Sequence, residues 1–315
     1  MVHWQLENTR RKGRMGGNGM KITEGYMPYL GYQTYYRIVG ECKGDKRPIL
    51  LLHGGPGSTH NYFEVLDCLA EEGRAVISYD QLGCGKSFVA NRPDLWKQET
   101  WMNELISLRE YLGLKELHIL GQSWGGMMAI AYACDYQPEG VRSLILSSAN
   151  PSSSLWASEQ HRMIRFLPEE LRQAIREAEE RGEYTSDAYR QANDLFMLRH
   201  CAGKPDPNGP ECLIREKVSG TESYEVAWGP SEFNPLGNLA SFEYLEKMPQ
   251  ITQPTLITSG IDDLCTPVIA KAMYDAVPRS RWELFTGSRH APFVEETEKY
   301  AEILNRWLAE HDTDR

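Results

Sequence analysis

Residues 121–125 read Gly-Gln-Ser-Trp-Gly, between the apolar run Leu117-His-Ile-Leu120 and the helix-forming stretch Gly126-Met-Met-Ala-Ile-Ala-Tyr-Ala133. A serine two residues from a glycine on either side, leaving a strand and entering a helix, marks a sharp strained turn that projects its hydroxyl into a cleft. Only small neighbours tolerate such a backbone, which accounts for Gly121 and Gly125 and makes Ser123 the candidate nucleophile. The turn also constrains the rest of the chain. It calls for an α/β fold with a mostly parallel sheet covered by helices on both faces, and for an acid and then a base after later strands.

Both groups are found downstream. The apolar segment Thr255-Leu-Ile-Thr-Ser-Gly260 runs into Ile261-Asp-Asp-Leu-Cys-Thr-Pro267, and Arg281-Trp-Glu-Leu-Phe-Thr286 runs into Gly287-Ser-Arg-His-Ala-Pro292. Of the eight histidines, His290 alone has the position of a base. His118 lies inside a strand, His161 and His200 lie in an intervening helical region, and His311 lies in a polar tail. Of the two adjacent aspartates, the spacing to Thr266-Pro267 selects Asp263 as the acid that orients the imidazole, with Asp262 as a turn residue. No metal ligand set or cofactor motif is needed for this chemistry.

A second strand, Pro48-Ile-Leu-Leu-Leu52, empties into His53-Gly-Gly-Pro-Gly57. Glycines leave backbone N–H groups unobstructed, and donors fixed where an acyl oxygen gains charge contribute roughly 3 to 4 kcal/mol each. The N–H groups of Gly55 and Trp124 are the expected donors. No Gly-Lys-Ser/Thr ending follows, so a phosphate loop is disfavoured. His53 precedes the elbow and is expected to brace the loop.

Together, His53-Gly-Gly-Pro-Gly57, Asp80-Gln-Leu-Gly-Cys-Gly-Lys-Ser87, Gly121-Gln-Ser-Trp-Gly-Gly126, Gly229-Pro-Ser-Glu-Phe233 and Asp263-Leu-Cys-Thr-Pro267 resemble the prolyl iminopeptidase family of α/β-hydrolases, in its short lactic-acid-bacterial type. The resemblance runs from about Met20, a candidate natural start, to the end. It implies an α/β-hydrolase fold with an inserted helical cap, and a serine aminopeptidase that releases N-terminal proline through an acyl-enzyme without metal or cofactor. An exopeptidase needs a carboxylate for the substrate amine, and the family segment points to Glu232. Some relatives carry a second carboxylate where this chain has Leu264, and many have Arg at the position of Leu82. Trp228, Phe233 and Trp124 are candidates for an apolar proline slot. Cys84 and Cys265 fall on loops near the catalytic end and read as bystanders. A broader amino-acid amidase or esterase, and a noncatalytic protein on the same scaffold, are the alternatives.

Strands are expected at residues 34–39, 49–52, 75–79, 117–120, 142–147, 256–258 and 282–285. Residues 20–150 and 251–315 then form the core, and 151–250, which lack strand runs, form the cap; loops beyond about 15 residues usually carry function. Residues 1–19 have a basic cluster with no apolar run behind it, and read as a disordered extension and not a secretory signal. The 315 residues, 41% of them hydrophobic, suffice for such a core. A net charge of −10 argues against nucleic acid and anionic membranes as partners and suits a cationic peptide end. No apolar run is long enough to span a bilayer. Seven scattered cysteines, an odd number without a Cys-x-x-Cys pair, suggest a reducing compartment, the cytoplasm.

Overall fold

The computed structural model describes residues 12–15, 19–204 and 206–313. Nine strands form one sheet in the order β1-β2-β3-β5-β4-β6-β7-β8-β9. They are β1 Lys12–Met15, β2 Lys21–Tyr29, β3 Tyr32–Val39, β4 Ile49–Leu52, β5 Val76–Tyr79, β6 Leu117–Gln122, β7 Val141–Ser147, β8 Thr255–Gly260 and β9 Ser280–Phe285. From β5 to β9 all neighbours are parallel, whereas β1, β2 and β3 join antiparallel at one edge. The helices are α1 Gln98–Leu112, α2 Trp124–Ala131, α3 Ser153–Ile164, α4 Glu169–Arg181, α5 Asp187–His200, α6 Glu211–Ile214, α7 Thr221–Ala227, α8 Pro267–Ala276, α9 Pro292–Glu295 and α10 Thr297–His311.

The antiparallel edge departs from the sequence expectation. Residues 12–15 of the expected disordered extension pair with Lys21–Glu24, while residues 1–11 and 16–18 lie outside the described residues. Strand β2 carries Gly25 and Pro28, residues that normally weaken a strand. Cross-strand Tyr36 covers Gly25 so closely that a Cβ there would lie 2.4 Å from its hydroxyl oxygen. The connection to β3 is the two-residue turn Leu30-Gly31, both at positive φ (48° and 80°), the hairpin geometry that matches strand twist.

Each central strand is buried on both faces. In β4, Ile49 and Leu51 pack with Phe63, Leu66, Tyr300 and Leu304, while Leu50 and Leu52 face Trp101, Leu105 and Met128 on the opposite side. Two apolar layers therefore hold β4 and β6 rigidly side by side. Because the chain leaves β4 toward β5 on one side and β6 toward β7 on the other, the loops after β4 and β6 diverge and open a crevice at their C-terminal ends. Residues 151–250, between β7 and β8, contribute α3 to α7 above that end.

One buried acid on α1 is bonded to no cation among the described residues. Glu104 on α1 is 0% exposed and accepts from the Leu82 N–H at 3.0 Å on each oxygen and from the Thr34 hydroxyl. Burial pushes its carboxyl up to about 8. The unfolded chain releases this proton at the usual carboxylate range and the folded chain only near 8, so this group removes stability as pH rises between them. Thermal midpoints taken from pH 5 to pH 8 should fall more steeply for the parent than for Glu104→Gln. Parallel pH profiles would contradict this.

Candidate active site

Ser123 occupies φ 54°, ψ −120°, a conformation that L-residues rarely adopt. The packing around it explains why it persists. A Cβ on Gly121 would lie 2.2 Å from the Gly125 carbonyl oxygen, and one on Gly125 would lie 2.0 Å from that of Leu52. Helix α2 therefore starts directly against the end of β4. The Ser123 N–H donates to the Ser147 carbonyl at 3.0 Å, which fixes the turn against β7.

The loops after β8 and β9 meet because Gly260 has no side chain: a Cβ there would lie 2.1 Å from the Arg289 carbonyl. His290 Nδ1 lies 2.7 Å from Asp263 Oδ1. Asp263 is 1% exposed, and its carboxylate also accepts from Ser148 Oγ at 2.6 Å, Gly260 N–H at 3.1 Å and Cys265 N–H at 2.9 Å. These donors fix the carboxylate in place, and with the imidazole Nδ1–H directed at it, Nε2 is left to exchange a proton. Asp262 is exposed and meets His200 through its backbone carbonyl at 3.0 Å. The adjacent aspartates thus point apart, and Asp263 is the one beside the imidazole.

Gln122 ties His290 to the elbow. Its Nε2 donates to the His290 carbonyl at 3.1 Å, and its Oε1 accepts from Tyr62 Oη at 2.9 Å. Tyr62 in turn accepts from the Gly54 N–H at 2.6 Å. The loops after β4, β6 and β9 are thereby joined by one hydrogen-bonded chain. Asp263, Cys265 and His290 also bring three ligand-type atoms within 4.8 Å of one another. The Asp263 oxygens are already engaged as described, and Cys265 Sγ lies 2.9 Å from the Ser148 carbonyl.

The glycine-rich loop after β4 places Gly55 at φ 116°, where a side chain would be strained. Trp124 is the first residue of α2, so its backbone N–H has no partner within the helix. His53 is fully buried, and burial lowers its pKa to about 4, so it is neutral. Its Nε2 accepts from the Gln81 N–H at 3.0 Å while Nδ1 donates to the Gly54 carbonyl at 2.8 Å. The expected brace is in place.

Glu232 follows α7 and keeps part of its surface open while protein surrounds its carboxylate densely. Burial raises its pKa, against the lowering effects of the Tyr224 hydroxyl that donates to it and of nearby His290. A cleft of about 500 Å³ adjoins, with Gly55, Pro56 and Gly57 on one wall and Tyr224 and Pro230 on the other. The three aromatic slot candidates are all buried. Trp124 is 1% exposed with its indole N–H on Gln81 Oε1 at 2.8 Å, Phe233 is 0% exposed, and Trp228, 4% exposed, packs edge-to-face on Trp156. Cys84 and Cys265 are buried, and burial pushes both thiols well above their usual range.

Sequence reasoning passed over Tyr62, Gln122, Ser148, Cys201 and Tyr224. Cys201, at the end of α5, accepts the His290 N–H at its carbonyl (3.3 Å). Gln122 sits inside the elbow motif at a position the motif leaves open, and the other four lie outside the motifs they support. The structure places Ser148 at a positive φ of 47°, which nothing in the sequence marks.

A family model described as the alpha/beta hydrolase fold matches residues 47–297. A proline iminopeptidase of Clostridium botulinum is 62% identical over 293 residues, which is 93% of this chain and 100% of that protein. One of Lactobacillus helveticus is 55% identical over 295 residues, again 93% of this chain and 100% of that protein. Among solved structures, a proline iminopeptidase of Mycobacterium smegmatis superposes with a TM-score of 0.81 at 29% identity, covering 92% of this chain and 98% of the other. The crystal structure of VinJ gives 0.82 at 31% identity, covering 91% and 98%.

Proposed function

The chain belongs to the proline iminopeptidase family of α/β hydrolases, and from that premise we propose how its residues divide the work of releasing proline from a peptide N-terminus. It is a serine exopeptidase that acts through an acyl-enzyme. Ser123 Oγ adds to the prolyl carbonyl as its proton passes to His290 Nε2, and the Gly55 and Trp124 N–H groups receive the oxyanion. His290 then protonates the leaving nitrogen and the C–N bond breaks, leaving a prolyl ester. Water attacks this ester, giving a proton to His290, and Ser123 takes one back as proline departs. Asp263 keeps the imidazole in the required tautomer throughout. Residues 151–250 serve as a cap that closes the site beyond the first residue.

The observation that carries this reading is a carboxylate, Glu232, within electrostatic reach of His290. Such an anion beside a hydrolytic triad favours substrates whose reactive carbonyl lies next to an ammonium, as in an N-terminal proline. Charge-assisted hydrogen bonds contribute about 1.5 to 3 kcal/mol. Glu232→Gln should therefore lower kcat/KM for proline arylamides by about one to two orders of magnitude, with amine-free esters affected far less. Since burial raises the Glu232 pKa, kcat/KM of the parent for amine substrates should carry an ionisation above the ordinary carboxylate range that the variant lacks, while the loss caused by protonation of the base His290 should remain in both. Equal losses on both substrate types would assign Glu232 to support of the cap instead.

The peptide substrate is the partner proposed. No helix among the described residues is long and apolar enough to cross a membrane. The seven free cysteines support a reducing compartment, and we place the enzyme in the cytoplasm.

A further inference from the structure

The segment Asp80-Gln-Leu-Gly-Cys-Gly-Lys-Ser87 has no part in the mechanism above, yet its second residue touches both sides of the oxyanion site. Gln81 follows β5 and is 1% exposed. Its side-chain Nε2 donates to the His53 carbonyl at 2.8 Å, and its Oε1 accepts from the Trp124 indole N–H at 2.8 Å. Its backbone N–H donates to His53 Nε2 at 3.0 Å. The partners fix which way the amide points, because an indole only donates and a carbonyl only accepts.

Each contact has a consequence for one oxyanion donor. With Nε2 of neutral His53 accepting, its Nδ1 carries the proton and holds the Gly54 carbonyl at 2.8 Å. The Gly54 C=O and the Gly55 N–H are the two ends of one planar trans unit and point in opposite directions. Holding one end therefore aims the other. On the far side, the indole of Trp124 is anchored on the residue whose backbone N–H is the second donor. Gln81 is itself immobile: Asp80 beside it accepts from His60 N at 2.9 Å and Lys86 N at 2.9 Å, and the Cys84 N–H donates to the Gln81 carbonyl at 3.3 Å.

We propose that Gln81 is a positioning residue that holds the Gly55 and Trp124 N–H donors in register, so that its side chain sets the rate of acyl transfer without contributing to ground-state binding. The proposal rests on the serine aminopeptidase reading of the same site. Removal of one oxyanion donor costs about 10²- to 10³-fold in kcat, and misaiming a donor costs less than removing it.

The test is Gln81→Met, which keeps length and the backbone N–H bond and removes both side-chain bonds. On a proline arylamide, kcat should fall by about 10- to 100-fold with KM nearly unchanged. A proline-derived boronic acid, whose boron bonds to Ser123 Oγ and places an oxygen in the hole, should lose affinity in parallel. Inhibition by free proline, which forms no tetrahedral adduct, should stay at the parental level. Trp124→Phe removes the indole donor along with one ring of a buried side chain and should show the same loss of kcat and boronate affinity with inhibition by free proline kept, the double variant losing less than the product of the two effects. This variant carries the test if Gln81→Met fails to fold. Unchanged kcat and boronate affinity, or a rise in KM alone, would overturn the proposal. If the parent itself failed to cleave proline arylamides, the functional reading would fall instead.

Discussion

Ser123→Ala and His290→Ala should each reduce turnover of a proline arylamide by on the order of 10⁴- to 10⁶-fold, because nucleophile and base act as one unit. The double variant should be little worse than either single one. Ser123→Ala removes a single oxygen from a turn held by the close approach of Gly125 to Leu52, and alanine is no more strained there than serine. Its thermal midpoint should remain near that of the parent, separating loss of chemistry from loss of fold. The residual rate should reflect the oxyanion donors and substrate positioning. A metal chelator should leave the parent rate unchanged, and chelation loss reversed by a divalent ion would contradict a serine mechanism.

Asp263→Asn should cost about 10⁴-fold in kcat, whereas Asp262→Asn should stay near the parent. The four donors converging on Asp263, from His290, Ser148, Gly260 and Cys265, leave no acceptor position that an amide NH₂ can occupy without opposing one of them. If the amide donates to Nδ1, the imidazole proton moves to Nε2, and the base loses the lone pair that must receive the Ser123 proton. Asp262 is exposed, and its contact with His200 uses the backbone, which the substitution preserves. Retained activity in Asp263→Asn with loss in Asp262→Asn would reverse the assignment.

The parts of this molecule that were legible in the sequence are those in which backbone geometry dictates residue type. The elbow needs Gly121 and Gly125 because any Cβ there would collide with backbone, so its glycines announce it. The parallel strands β4 to β8 are short runs buried on both faces, and they lie within a few residues of their expected positions, as does the half-buried edge strand β9. Strand β3 of the antiparallel edge was also legible, whereas β1 and β2 were not, for the opposite reason. Tyr36 compensates for Gly25 from the neighbouring strand, and a compensation made across strands leaves no local pattern. The same applies around the site. His53 was recognisable as a brace because it adjoins the glycines, but its partner Gln81 lies 28 residues away, and Tyr62 reaches Gln122 across 60.

The most direct measurement is the parent enzyme's kcat/KM on proline, alanine and leucine arylamides, N-acetylproline arylamide and a simple ester. A site with Ser123 as nucleophile and Glu232 as amine partner predicts fast release from proline arylamide, much slower release from the alanine and leucine compounds, and a large loss when the proline nitrogen is acetylated. Equal rates on the three amino-acid arylamides, or cleavage of the acetylated compound as fast as the free amine, would contradict a proline aminopeptidase and leave a general amidase or esterase built on the same triad.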